Sequence, residues 1–441
     1  MRIPTLPSDV WSHVASFLSV KDAARLSGVS WDASRLQIEN ASLVPEARSD
    51  EDGRPIMLHT DLTPAEGFLW ASRRWASAKV LHLRLQYSDT RRGEWLSSMT
   101  HAAASLSRLE KLLLDCSHEL EGDWARIQGT PLLYNVLRHA HGLRVLELYC
   151  HDVRFEAPLL SLQHLLLTLG GGEADLDLPT LALAPNLVTM QLLNLRWPSG
   201  VRTTPEHLDF RPLSKLKAVR LDFILPTQLS LPQHCCLAVK AETLEQARSR
   251  VWESVRSHIR CFSVRSSERL TAMTELPAML LREPPLLQAS LSFRSFGTAE
   301  SPLQLSKTLA QATSLILDST EGMHLLVPDD ASWRHSIFQT RQQLQWEWLS
   351  ASGDIVPWLP HKLLFESFVL QFGSLLGTGI LDLLREWPQQ GAQYRSDSSD
   401  SGKRTTIRMT KGGSQDGCCS QWECCCGACE NCLWELYRES V

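Results

Sequence analysis

Leu109-Glu-Lys-Leu112-Leu-Leu114-Asp-Cys116 and Leu143-Arg-Val-Leu146-Glu-Leu148-Tyr-Cys150 agree at every apolar position and in the final cysteine. An apolar residue followed by others at +3 and +5 carries period-two alternation, the pattern of a short strand buried on one face. Similar strings stand at 80–85, 162–169, 187–192 and 216–223, and weaker ones at 236–241, 259–264, 286–293, 312–317, 344–348 and 365–372. Successive starts are about 19 to 34 residues apart, mostly near 25, which is the spacing of stacked repeat units. Between two of these strings, residues 243–258 place Leu244, Ala247, Val251 and Val255 at helical spacing, with Glu and Arg on the opposite face. Repeated strand-plus-helix units bury one continuous core and align their strands in parallel.

The residues alternating with the core positions then share one outward face. Arg84, Lys111, Asp115, Glu147, Tyr149, Arg220 and Asp222 are its candidate substrate-binding residues, with Leu113, Leu166 and Leu193 as aliphatic anchors. Both signs of charge occur along this face, which suits a protein ligand better than a phosphate backbone. The strings resemble those of the leucine-rich-repeat family over residues 78–388. That resemblance implies an α/β fold, an irregular leucine-rich-repeat-like βα solenoid.

A second pattern occupies the first forty or so residues. Val10, Val14, Phe17 and Leu18 fall on one helical face, Ser19 and Asp22 resemble a capping box, and Gly28 marks a stop. Three short helices are expected in residues 1–45, a unit small enough to need a neighbouring surface to complete its core. Leu6, Pro7, Asp9, Val10, Val14, Leu18, Asp22, Leu26, Val29 and Ser30 resemble the motif of the F-box family. The resemblance implies a three-helix module that lays Leu6, Pro7, Val10, Val14, Leu18, Leu26 and Val29 against the adaptor subunit of a cullin-based, SCF-type ubiquitin ligase.

The chain has 441 residues, of which 43% are hydrophobic and 21% charged, values close to the globular average and unlike those of a disordered chain or a coiled coil. A net charge of -5 argues against a nucleic-acid partner. No continuous apolar run follows Met1, and the uncharged stretch 178–195 is broken by Pro179, Pro185, Asn186, Gln191 and Asn194. No membrane span is expected, and the expected location is cytoplasmic or nuclear. Polar, turn-prone residues at 46–77 read as a linker, and the Ser- and Gly-rich stretch 389–417 as a disordered one.

Catalytic patterns are missing. Gly170-Gly171-Gly172 lacks the following Lys of a phosphate loop, His139 and His141 lack the spacing of a zinc-protease pair, and no Gly-x-Ser-x-Gly occurs. The chain is therefore expected to be a non-catalytic subunit. Seven of its twelve cysteines lie in the tail 418–441, where Cys426, Cys429 and Cys432 form C-x2-C-x2-C and are the candidate zinc ligands. Adjacent cysteines cannot all point at one ion, so a disordered, redox-sensitive or acylated tail accounts for the composition as well. The reading that joins these parts is a substrate receptor holding an adaptor at one end and an unidentified protein substrate on the repeats. The alternatives are a repeat scaffold without an adaptor and a metal- or redox-sensing protein acting through the tail.

Overall fold

The computed structural model describes residues 40–43, 47–49, 55–57, 79–84, 108–115, 137–149, 157–169, 181–194, 207–281, 285–328, 331–333, 335–350, 352, 355–356, 367–372, 374–376, 392–399 and 404–411. They fall into two units, Met1–Val219 and Arg220–Val441, taken here one at a time.

In the first unit the strands are β1 (Asn40–Leu43), β2 (Ala47–Ser49), β3 (Pro55–Met57), β4 (Val80–Arg84), β5 (Lys111–Asp115), β6 (Val145–Tyr149), β7 (His164–Leu169), β8 (Thr189–Asn194) and β9 (His207–Asp209). β4 to β8 run parallel in sequence order, each beside the next. Leu81, Leu112, Leu146, Leu165 and Met190 are register partners along one row. The last four are buried, as are the +5 leucines Leu148, Leu167 and Leu192, so the alternation seen in the sequence is the core face of the sheet.

Each string also begins with a buried leucine that closes a tight turn. The amides of Leu143, Leu162, Leu187 and Leu216 donate to the carbonyls of Ala140, Leu159, Ala184 and Leu213, three residues back, and those four residues are buried too. The next two amides of each string both donate to one carbonyl of the preceding repeat. Lys79 O accepts from Glu110 and Lys111, Glu110 O from Arg144 and Val145, Arg144 O from Gln163 and His164, and Gln163 O from Val188 and Thr189. A slip of one residue would break this ladder and turn every leucine outward, so turn and pattern fix the same register.

The amino-terminal boundary differs from expectation. Residues 40–43, expected within the helical module, form β1 and pair in parallel with β4 from Asn40↔Val80 to Leu43↔Leu83. The expected linker 46–77 contains the antiparallel pair β2 and β3. β1 supplies hydrogen-bond partners to an edge of β4 that would otherwise be open, a need that composition does not reveal.

The second unit follows from β10 (Ala218–Asp222), β11 (Gln228–Ser230) and β12 (Cys236–Ala241) into α1 (Leu244–Ala247) and α2 (Arg250–Ser254). Thr243 and Ser249 cap the two helices, each accepting a backbone amide on its hydroxyl. Leu244, Ala247, Val251 and Val255 are all buried, as their helical spacing predicts.

Beyond α2 the repeats change character, each supplying two strands. These are β13 (Ile259–Arg265) with β14 (Arg269–Leu270), then β15 (Gln288–Phe293) with β16 (Ser295–Phe296) and β17 (Leu303–Gln304). After α3 (Lys307–Ala310) come β18 (Ser314–Ser319) with β19 (Met323–Pro328), β20 (His335–Thr340) with β21 (Gln343–Leu349), β22 (Ile355–Val356), and β23 (Ser367–Phe372) with β24 (Ser374–Leu376). The first members continue one parallel sheet in the order β12-β13-β15-β18-β20-β23, while β14, β16, β19 and β21 build a second in the same order. Inward aromatics fill this part of the core. Trp333, Phe338, Trp346 and Trp348 are fully buried, and their rings stack edge to face or tilted at centroid distances of 4.6 to 6.0 Å.

The helical connections expected throughout a βα solenoid are therefore replaced over much of this unit by short strands. Residues 344–348, read as the next repeat strand, belong to β21 in the second sheet, and β20 takes the place in the first. The stretch 389–417, expected to be disordered, contains β25 (Ala392–Ser399) and β26 (Arg404–Lys411), an antiparallel pair joined to the sheet through β23. Its polar composition conceals one anchor: Ile407 is buried opposite Leu370. The described architecture is mixed α/β, with mostly parallel strands and few helices. Among the described residues, no helix is long and apolar enough to cross a membrane.

Candidate functional site on the outward strand faces

In the first unit the residues between core positions lie on one face, as the alternation requires. Lys111 Nζ meets Glu147 Oε1 at 2.6 Å across neighbouring strands, with Glu147 the less exposed partner. His164 Nδ1 and Thr189 Oγ1 are 2.8 Å apart one strand further on. Leu113, Leu166 and Leu193 are half-buried between these polar groups. Arg84, Asp115 and Tyr149 share a single register row on β4, β5 and β6, and their side chains lie outside the described residues. The face thus alternates aliphatic and ionic groups within a few ångströms, a chemistry suited to a protein surface.

In the second unit Arg220 and Asp222 come together, but differently from expectation. Expected as open contact residues, they are 7% and 4% exposed, and Arg220 Nε donates to both Asp222 oxygens at 2.8 and 3.0 Å. Two residues apart on β10, they point the same way and satisfy each other, which is how a charged pair tolerates burial. The pair forms one wall of a small depression, open to solvent and about 30 Å³ in volume. Phe223, the next residue, adopts φ 61°, unusual for a bulky side chain, while its amide donates to Lys240 O at 2.7 Å. Lys240 Nζ sits 5.5 Å from the centre of the Phe223 ring. Strained backbone of this kind persists only where the surroundings hold it.

The other walls come from β12, β13 and β15. Ala238, Cys261 and Gln288 form one register row, and Lys240, Ser263 and Ser290 the next. Burial pushes the Cys261 thiol up to about 12, so it stays protonated near neutral pH and is a poor nucleophile. Cys235, elsewhere in the unit, is likewise pushed up to about 12 by burial. Lys240 was legible as an outward position from the alternation. Ser263, Gln288 and Ser290 were not singled out, because small polar residues between apolar ones give no signal until the register brings them beside a charged pair.

Among the described residues, no group of three or more His, Cys, Asp or Glu side chains could hold a metal ion. Cys426, Cys429 and Cys432 lie outside the described residues, as do the adaptor-binding candidates Leu6, Pro7, Val10, Val14, Leu18, Leu26 and Val29. The chain matches no known protein family and no curated protein.

Proposed function

We propose that the chain is a non-catalytic substrate receptor of a cullin-based, SCF-type ubiquitin ligase. Residues 1–45 would hold the adaptor and the outward strand faces a protein substrate. The observation that carries the proposal is the pairing of two features: an ordered series of F-box-like positions from Leu6 to Ser30, followed by parallel repeat strands with a mixed ionic and aliphatic outward face. Such a receptor works by proximity. Holding both substrate and adaptor raises the effective concentration of substrate lysines near a conjugating enzyme, and the bond-forming chemistry takes place on that enzyme.

The test uses purified full-length chain and purified adaptor. Wild type should co-purify with the adaptor, whereas Val14→Asp, which places a carboxylate in the apolar contact, should lose it at an unchanged melting temperature. Equal capture by both proteins, or none by either, would favour a repeat scaffold without an adaptor.

A further inference from the structure

The backbone ladder that opens each string of the first unit also lines up one residue per strand at the entrance to the sheet. Lys79, Glu110, Arg144, Gln163 and Val188 each offer a carbonyl to two amides of the next strand, and Lys217, whose amide donates to Val188 O, takes the same place before β10. Two positions earlier stand Arg108, ahead of β5, and Lys215, ahead of β10. Lys79, Arg108, Arg144, Lys215 and Lys217 are all exposed. Among the described residues of this unit, Glu110 is the one carboxylate on the rim. Asp115 and Glu147 lie further along the strands, Glu147 bonded to Lys111, and Asp209 is held by Arg211. Among the described residues Arg108 and Arg144 meet no carboxylate, and Lys215 Nζ bonds a neutral amide oxygen, Asn186 Oδ1, at 2.7 Å. The rim is therefore cationic in a chain whose net charge is -5. Its charge is not continuous. Between the cations of β4 to β6 and those before β10, the strands β7 and β8 contribute Gln163 and Val188, and the turns before them contribute Pro185 and Leu160. Leu160 is 63% exposed, the most exposed large apolar side chain among the described residues, and its carbonyl is held by Asn186 Nδ2 at 2.6 Å.

The two cationic ends and the apolar middle narrow the partner. A nucleic acid would lay evenly spaced phosphates across the neutral middle, against a net charge that opposes it at long range. An anionic membrane would need more apolar surface to enter it than one leucine provides. An extended protein segment with carboxylates at both ends and an apolar residue between them matches all three parts. We propose that this strand-entry rim of the first unit docks such an acidic segment of a partner protein, which crosses the strands with its apolar residue on Leu160 and its carboxylates at Arg144 and at Lys215 and Lys217. Arg144 and Lys217 stand three strands apart, about 14 Å at the usual strand spacing, which an extended chain covers in about four or five residues. Charges on such a rim orient the partner and speed its arrival more than they tighten the complex, so the interaction weakens with salt. The rim is separate from the outward strand faces, and its assignment does not depend on the receptor reading.

A random-sequence peptide library panned on the purified full-length chain, and in parallel on the double variant Arg144→Glu/Lys215→Glu, tests it. Both side chains are exposed and neither bonds a carboxylate among the described residues, so the double variant should keep its melting temperature. Wild type should enrich peptides carrying two acidic residues about four or five positions apart with an apolar residue between them. In fluorescence anisotropy such a peptide should bind the double variant about tenfold more weakly or worse. A version of the peptide with lysines in place of its acids should bind the double variant better than wild type, a gain that a folding defect does not produce. Should the double variant melt lower, that gain decides alone. No enrichment, enrichment without acidic residues, equal binding of acidic peptides to both proteins, or tighter binding of a single-stranded oligonucleotide or of phosphatidylserine vesicles than of the peptide would overturn the proposal. Adaptor capture is read in a separate experiment, so either proposal can fail without the other.

Discussion

Two ion pairs separated by i to i+2 spacing behave differently because one is wet and the other is not. Asp209 accepts from Arg211 Nε at 2.8 Å and Nη2 at 2.6 Å, with the arginine largely exposed. These hydrogen bonds hold the Asp209 carboxyl down at about 2, against 3.8 for an ordinary aspartate. The unfolded chain therefore binds this proton at higher pH than the folded one, so the pair's contribution is present above about pH 4 and is lost as pH falls toward 2. Carbon-detected NMR titration should find the Asp209 midpoint near 2, and Arg211→Gln should return it toward 3.8. The change in stability should be small, since the pair is solvent-screened and local enough to survive in part after unfolding. Arg220 and Asp222 contrast with this. Arg220→Met leaves a buried carboxylate without its guanidinium and should cost about 3 to 5 kcal/mol in denaturant unfolding. The double variant Arg220→Met/Asp222→Leu should recover most of that loss. Equal losses in the single and double variants would mean that the unpaired Asp222 is not the source of the cost.

At the scale of strands, the pattern Leu-x-x-Leu-x-Leu carried the reading wherever the inward positions are leucines. Leu112 and Leu146 are register partners and both buried, whereas Leu113 lies half-buried on the other face. Leu112→Ala and Leu146→Ala should each cost about 2 to 5 kcal/mol through lost burial and the cavity left behind, and Leu113→Ala less than half as much. Comparable thermal shifts at positions 112 and 113 would contradict this register. The same pattern misses β20 for a physical reason. Its inward positions are Ser336, Phe338 and Thr340, so two of three core sites carry hydroxyls, and hydropathy alternation fades although all three are buried. Ser319 Oγ and Thr340 Oγ1 compensate by bonding each other at 2.9 Å, a long-range pairing invisible along the chain. The helical stripe before β13 was legible because Leu244, Ala247, Val251 and Val255 repeat at 3.6-residue spacing. The second sheet was legible only at residues 344–348 within β21, because strands as short as Arg269–Leu270 or Ser295–Phe296 have too few residues to show a period. Arg220 and Asp222 were legible as neighbours on one face. Their burial was not, since it depends on side chains from adjacent strands.

At the scale of the whole chain, an F-box-like stretch joined to repeat strands makes a receptor a coherent proposal, since it assigns separate surfaces to adaptor and substrate. Sedimentation velocity of the purified full-length chain, titrated with purified adaptor at micromolar concentration, tests the central claim most directly. The receptor account predicts a single faster boundary containing both proteins in one-to-one ratio, reached without any substrate present. Two boundaries that sediment independently at every ratio would contradict it.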